Sequence, residues 1–151
     1  MPSVQGPQPA NQLTVQVGVD IVGVERVARL VTAHPGAVEA LFTPAEQAYC
    51  LRKRRKHEHL AGRFAGKEAV LKAIGTGMRR RMRWIEVEIV SGEAGRPRVQ
   101  LHGEVAEQAR LRGLRDLDVS ISHSDGLALA HAVAVCDNDP NTGGVDAVSP
   151  D

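Results

Sequence analysis

His59-Leu60-Ala61-Gly62-Arg63-Phe64-Ala65-Gly66-Lys67-Glu68-Ala69-Val70-Leu71-Lys72-Ala73-Ile74, followed by Gly75-Thr76-Gly77, is the stretch that decides the fold. At ~100° per residue, Leu60, Phe64, Leu71 and Ile74 fall into one apolar stripe, so the segment is predicted to be a helix. Gly75-Thr76-Gly77 stops it. A neighbouring strip carries Ala61, Ala65, Glu68 and Lys72. Its small residues leave room, and a carboxylate and an ammonium share it one turn apart. Two readings of Glu68 and Lys72 stand at this point. One is a surface ion pair at i,i+4, worth about 0.3–0.5 kcal/mol. The other is a metal-binding carboxylate beside a cation, facing a groove.

Working outward, Val15, Val17, Val19 and Ile21 alternate with Gln16, Gly18 and Asp20. This is a strand pattern, with Asp20 near its end and pointing away from the apolar face. A helix follows from Val24 to about Val31, with Arg26 and Arg29 on one face, and His34-Pro35-Gly36 breaks it. Thr43-Pro44-Ala45-Glu46 has the form of a capping box that opens a second helix. The basic run Arg52–Lys56 ends or interrupts that helix, and the third helix is expected from about His59. Beyond it, Trp84 to Val90 reads as a half-buried strand, Ser91 to Pro97 as a long turn, and Arg98 to Leu101 as a strand. Gly103 to Gly113 reads as a short helix with Val105, Ala109 and Leu111 inward. Leu117, Val119 and Ile121 form another strand, and Leu127 to Val135 returns as a buried one after the Ser124-Asp125-Gly126 turn. Hairpins interrupted by helices give an α+β fold with a mainly antiparallel sheet packed with helices.

The 151 residues suit one domain. Residues 13–136 are expected to form it, between flexible extensions at 1–12 and 137–151, whose polar, Pro- and Gly-rich composition cannot offset its ordering entropy. Aromatics make up 3%, so the core is aliphatic and a base-stacking platform is argued against. Nineteen basic against 18 acidic residues leave a net charge of +1, which disfavours a generic polyanion binder. Cys50 and Cys136 stand in no metal-like spacing and read as reduced thiols. No apolar run reaches the ~20 residues that a bilayer needs, and the N-terminus lacks a secretory pattern. A cytoplasmic protein with no membrane partner is therefore expected.

Carboxylates from two distant segments, Asp20 and Glu68, are what a hard divalent cation requires, and Mg²⁺ typically takes one or two of them with waters and phosphate oxygens. No Walker loop or G-x-G-x-x-G is present. His123 follows Ile121 on the alternation and shares the inward face of its strand, as a core histidine or as a catalyst. The runs Arg52–Lys56 and Arg79-Arg80-Arg81 with Arg83 are solvated faces, a nucleic-acid patch, or a site for a phosphorylated small molecule or an acidic protein. A non-enzymatic basic module that binds nucleic acid is the alternative to an enzyme.

In this order the segments resemble the holo-acyl-carrier-protein synthase family, the small 4′-phosphopantetheinyl transferases. The resemblance rests on Gly18-Val19-Asp20-Ile21-Val22, on Arg63 to Ala73, and on Gly75-Thr76-Gly77. Gly95-Arg96-Pro97 and Ser120-Ile121-Ser122-His123-Ser124 also match, so that it covers about residues 15–136. The resemblance implies Mg²⁺-dependent transfer of 4′-phosphopantetheine from coenzyme A to a serine of apo-acyl carrier protein, with adenosine 3′,5′-bisphosphate as the other product. It also implies a homotrimer with active sites between subunits. Asp20 and Glu68 would hold the metal. Glu68, Lys72 and His123 would be catalytic, with the base being Glu68 or an ordered water. Arg63, Arg54 and Arg55 would bind the 3′-phosphate, with Phe64, Gly75, Thr76, Gly95 and Pro97 along the cofactor. Arg26 and Arg29 would dock the acidic carrier protein.

Overall fold

The computed structural model describes residues 12–138. The chain runs β1 (Gln12–Gly23), α1 (Val24–Ala33), α2 (Ala37–Leu41), α3 (Pro44–Leu51), α4 (Lys56–Ile74), β2 (Val87–Ser91), β3 (Pro97–Leu101), α5 (Gly103–Leu111), β4 (Leu114–Ser124) and β5 (Leu127–Asn138). Strands β1, β5 and β4 form one antiparallel sheet in that order, and β2 and β3 form a separate hairpin. The expected α+β architecture is thus present.

Helix α4 lies across the three-stranded sheet, and small residues let it come close. Ala128, Ala130, Ala132 and Ala134 of β5 are all fully buried beneath it. Gly18 of β1 pairs with Ala132. A Cβ on Gly18 would overlap the Ala69 carbonyl oxygen and stand 2.6 Å from the Ala73 nitrogen. On the helix side, a Cβ on Gly62 would stand 2.9 Å from Ile121 Cγ2. Backbone-to-backbone packing of this kind leaves no space for valine.

Several sequence expectations change for that reason. Val15, Val17, Val19 and Ile21 do share a face, but it is the outer face, and all four are exposed. The face toward α4 carries Gly18, Asp20 and Val22. Strand β5 is not buried throughout: its alanines point inward, while Leu127, Leu129 and His131 are exposed. Ala61 and Ala65 are fully buried against the core, so they open no groove. Helix α4 starts at Lys56, a little earlier than expected, and α2 is an added short helix after the left-handed Gly36. Trp84–Glu86 is a 3-10 turn ahead of β2, with Glu86 buried and accepting from the Arg83 N–H. Leu111 is exposed, because Val105 and Ala109, one turn apart, already define the buried face of α5. The expected flexible extensions lie mostly outside the described residues, but at their inner edges Gln12, Asp137 and Asn138 belong to β1 and β5.

The capping box that opens α3 is present. Thr43 Oγ1 accepts from the Glu46 N–H at 3.3 Å, and Glu46 Oε2 accepts from the Thr43 N–H at 2.8 Å.

Candidate active site

The inward alternation of β1 carries Asp20 onto the flank of α4, where Glu68 and Lys72 stand one helical turn apart. Lys72 Nζ donates to Asp20 Oδ1 at 3.2 Å and to the Val19 carbonyl at 2.9 Å. Burial pushes the Glu68 carboxyl above its usual range, and the charge of Asp20 pushes it in the same direction. Lys72 and Arg26 oppose that shift. Two carboxylates remote in sequence thus share one electrostatic environment, with a lysine against one of them. Among the described residues no group of three or more His, Cys, Asp or Glu side chains could hold a metal ion. Asp20 and Glu68 are the carboxylates that meet here, and two carboxylates are the kind of set an oxygen-preferring ion that keeps waters can use.

Arg26 and Arg29 are exposed on α1, which leaves β1 just beyond Asp20. Arg29 lines a shallow surface hollow with Ala28, Thr32 and Ala33.

The amino-terminal half of α4 gathers a second group, over β4. His123 lies on the face toward α4, paired with Ala128, and a Cβ on Gly62 would stand 2.6 Å from its Nε2, but the residue is exposed at the edge of the helix and is not the core histidine that the alternation allowed. The rings of His59 and His123 are 6.0 Å apart, and Tyr49 meets His59 edge-on at 5.7 Å. Arg63 is buried, donates to Ser91 Oγ at 2.9 Å, and stacks over Tyr49 at 4.8 Å, while its Nε has no partner. Burial holds the His59 imidazole below its usual range, helped by the charges of His123, Lys53 and Arg63. Arg54 and Arg55 lie exposed between α3 and α4, with Arg55 3.6 Å from Glu58. Phe64 packs on Trp84 with ring centroids 5.1 Å apart.

Gly75 ends α4 in the left-handed region (φ 86°), donating to the Leu71 carbonyl at 3.0 Å, as its composition suggests. Thr76 Oγ1 donates to the Gly77 carbonyl at 2.7 Å. Gly95 and Pro97 sit in the β2–β3 connection. Pro97, Arg96, Asp118, Ser120 and His131 line a surface pocket of about 260 Å³, and Arg96 and Asp118 form an ion pair within that lining.

The structure thus unites Asp20, Glu68 and Lys72, and places His123 and Arg63 at the amino-terminal half of the same helix, around Gly62. Sequence reasoning missed the partner of Lys67. Its ammonium is fully buried, donating to Glu46 Oε2 at 2.8 Å, the Val87 carbonyl at 2.7 Å and the Trp84 carbonyl at 3.1 Å. Glu46 Oε1 also accepts from the Ile89 N–H at 2.8 Å. The signal was half visible: Glu46 completes the capping box, but nothing local ties it to a lysine 21 residues later.

The sequence pattern of the 4′-phosphopantetheinyl transferase superfamily matches residues 16–134. The chain belongs to this superfamily. Within it, a holo-[acyl-carrier-protein] synthase of Moorella thermoacetica is 43% identical over 119 residues, spanning 79% of this chain and 92% of its own. A Chronobacterium ammoniagenes synthase solved with coenzyme A is similar at a TM-score of 0.71 and 31% identity, over 82% of this chain and 98% of its own. The Helicobacter pylori synthase, also solved with coenzyme A, gives 0.68 and 28%, over 78% of this chain and 98% of its own. All the residue groups described above fall inside the span matched to the superfamily.

Proposed function

We propose that the protein is a holo-acyl-carrier-protein synthase. It transfers 4′-phosphopantetheine from coenzyme A to a serine of apo-acyl carrier protein in the cytoplasm, uses Mg²⁺, and releases adenosine 3′,5′-bisphosphate. The observation that carries this reading is the meeting of Asp20, Glu68 and Lys72 where β1 crosses α4. The residues fit the ion: burial first, and then the charge of Asp20, raise the Glu68 carboxyl, and a divalent cation between the two carboxylates would offset both effects. When bound there, Mg²⁺ would neutralise charge on the pyrophosphate of coenzyme A.

The serine oxygen attacks the β-phosphorus. The bond from that phosphorus to the oxygen bridging the two phosphates breaks, and its electron pair leaves on the nucleotide bisphosphate. The serine proton passes to Glu68 or to an ordered water. Lys72 Nζ has three N–H groups, two of them engaged by Asp20 and the Val19 carbonyl. The third is free to meet the leaving phosphate. Arg63, Arg54 and Arg55 bind the 3′-phosphate through guanidinium forks, with Phe64, Gly75 and Thr76 along the cofactor and the Gly95–Pro97 turn by the adenine. Arg26 and Arg29 dock the acidic carrier.

His123 orients the nucleotide or the hydroxyl in a site shared between copies. The support is the outer sheet face, where Leu13, Val15, Val17, Val19, Ile21, Leu127 and Leu129 are exposed together. A contiguous apolar face of this kind marks an association surface. We infer a homotrimer, which light scattering on the eluted protein tests directly.

Intact-mass analysis of apo-carrier incubated with coenzyme A and Mg²⁺ tests the activity. The carrier gains one phosphopantetheine. Asp20→Asn and Glu68→Gln abolish the gain without lowering the melting temperature, as does removal of Mg²⁺ by a chelator, which added Mg²⁺ reverses. Full turnover by both variants overturns the reading.

A further inference from the structure

The basic run after α4 has no role in the chemistry above, yet it is built to be presented. Arg79, Arg80, Arg81 and Arg83 are all exposed. Arg83 lies 3.7 Å from Glu86, whereas Arg79, Arg80 and Arg81 take part in none of the ion pairs among the described residues. The segment is fixed at both ends. Gly75 anchors its start through the Leu71 carbonyl. Near its end, Met82 is buried, its N–H donating to the Arg79 carbonyl at 3.0 Å and its sulfur 4.0 Å from Thr76 Oγ1. A Cβ on Gly75 would stand 3.6 Å from Arg112 Nη1, so a further guanidinium sits at the base of the turn. The cost of ordering a loop on binding is thereby reduced before any partner arrives.

The position of this turn says what it meets. The chain leaves Asp20 into α1, with Arg26 and Arg29, and leaves Lys72 through Gly75 into Arg79–Arg83. Arg26 follows Asp20 by six residues and Arg79 follows Lys72 by seven, so chain reach alone keeps both basic groups within roughly 25 Å of the Asp20–Glu68–Lys72 group. A macromolecule that brings a hydroxyl to that group comes within range of both, and an acidic protein surface is the complement.

We propose that Arg79, Arg80 and Arg81 form a second electrostatic dock for the acidic carrier protein, acting together with α1. The proposal rests on the transferase reading. These residues act on encounter rather than on the chemical step, so their effect lies in the KM for the carrier and fades with salt.

The test compares the full chain with Arg79→Glu/Arg80→Glu/Arg81→Glu, checked for an unchanged melting temperature. Initial rates are taken at 50 mM and 500 mM NaCl with varied apo-carrier and varied coenzyme A, and single charge reversals serve if the triple variant does not fold. The expected result is a rise of about tenfold in the carrier KM at low salt, shrinking several-fold at high salt, with kcat and the coenzyme A KM unchanged. An unchanged carrier KM overturns the proposal. So does a loss of kcat that is equal at both salts, or a raised KM for coenzyme A. Loss of binding to a labelled RNA or DNA duplex, with the carrier KM intact, assigns the turn to nucleic acid instead and also overturns it. Inactive wild-type protein would defeat the transferase reading itself, whereas active wild type with an indifferent variant defeats only this inference.

Discussion

Replacing Lys67 by methionine separates structure from catalysis within one motif. Lys67 and Glu68 are adjacent, but Lys67 points into the core and Glu68 toward Asp20. Methionine keeps most of the stem volume and removes three charge-assisted hydrogen bonds, to Glu46, Val87 and Trp84. The Glu46 carboxylate stays buried with only the Thr43 and Ile89 N–H groups to offset its charge. The Trp84 carbonyl retains the Val87 N–H, so the Val87 carbonyl suffers the larger loss. Breaking one side of a buried pair costs about 3–5 kcal/mol. At about 2–4 °C per kcal/mol for a chain of this size, the melting temperature falls by roughly 6–20 °C. Differential scanning fluorimetry measures the fall, and transferase assays well below the transition measure the chemistry. The turnover of the folded fraction is expected to match wild type. Glu46→Gln/Lys67→Met is expected to lose less than the sum of its single variants, since neither then strands a charge. An unchanged melting temperature with lost turnover would refute the reasoning and place Lys67 among the reacting groups.

Gly18→Ala forces β1 away from Ala69 and Ala73, and is expected to cost at least the ~1–3 kcal/mol typical of overpacking and to lower kcat as Asp20 shifts. Chemical denaturation and initial rates check both, and a neutral variant would show the crossing to be loose. Cys50 is fully buried, and burial raises its thiol to about 11. It is expected to resist thiol reagents at pH 8 in the native protein and to react fully once unfolded, so rapid native labelling of Cys50 by peptide mapping would contradict that burial. His59 is held below its usual range, so the unfolded chain binds its proton first. Its contribution to stability is present above about pH 6.5 and is lost as the pH falls through that value toward the folded one. His59→Phe is expected to flatten this slope in urea melts between pH 5 and 8, and an unaltered slope would place the titration elsewhere.

The elements of the fold were legible where signals are local. The capping box at Thr43 and Glu46, the glycine stop at Gly75, and the period-2 runs of β1 and β4 all lie within a few residues of their own cause. Asp20, Glu68 and Lys72 were legible as candidates because each period fixes a face: two for the strand, 3.6 for the helix. Which face meets the core was not legible for β1. Four β-branched residues on one side argue for burial by ordinary hydrophobic reasoning, yet they are exposed and Gly18 is covered. The Lys67–Glu46 pair was equally hidden, since its two halves are 21 residues apart and each has a plausible local reading.

From the sequence alone come the order of elements, the small residues along β5 and α4, and the acidic and basic side chains that could do chemistry. Only the tertiary structure decided that α4 presses backbone-close onto the sheet, which turns glycine and alanine inward and the valines of β1 outward. The same crossing brings Asp20 beside Glu68 and Lys72 while His123 meets the helix at Gly62, in its amino-terminal half. The reason is that residue patterns report periodicity within a segment, whereas the distance between two segments is set by the side chains that both contribute at their contact.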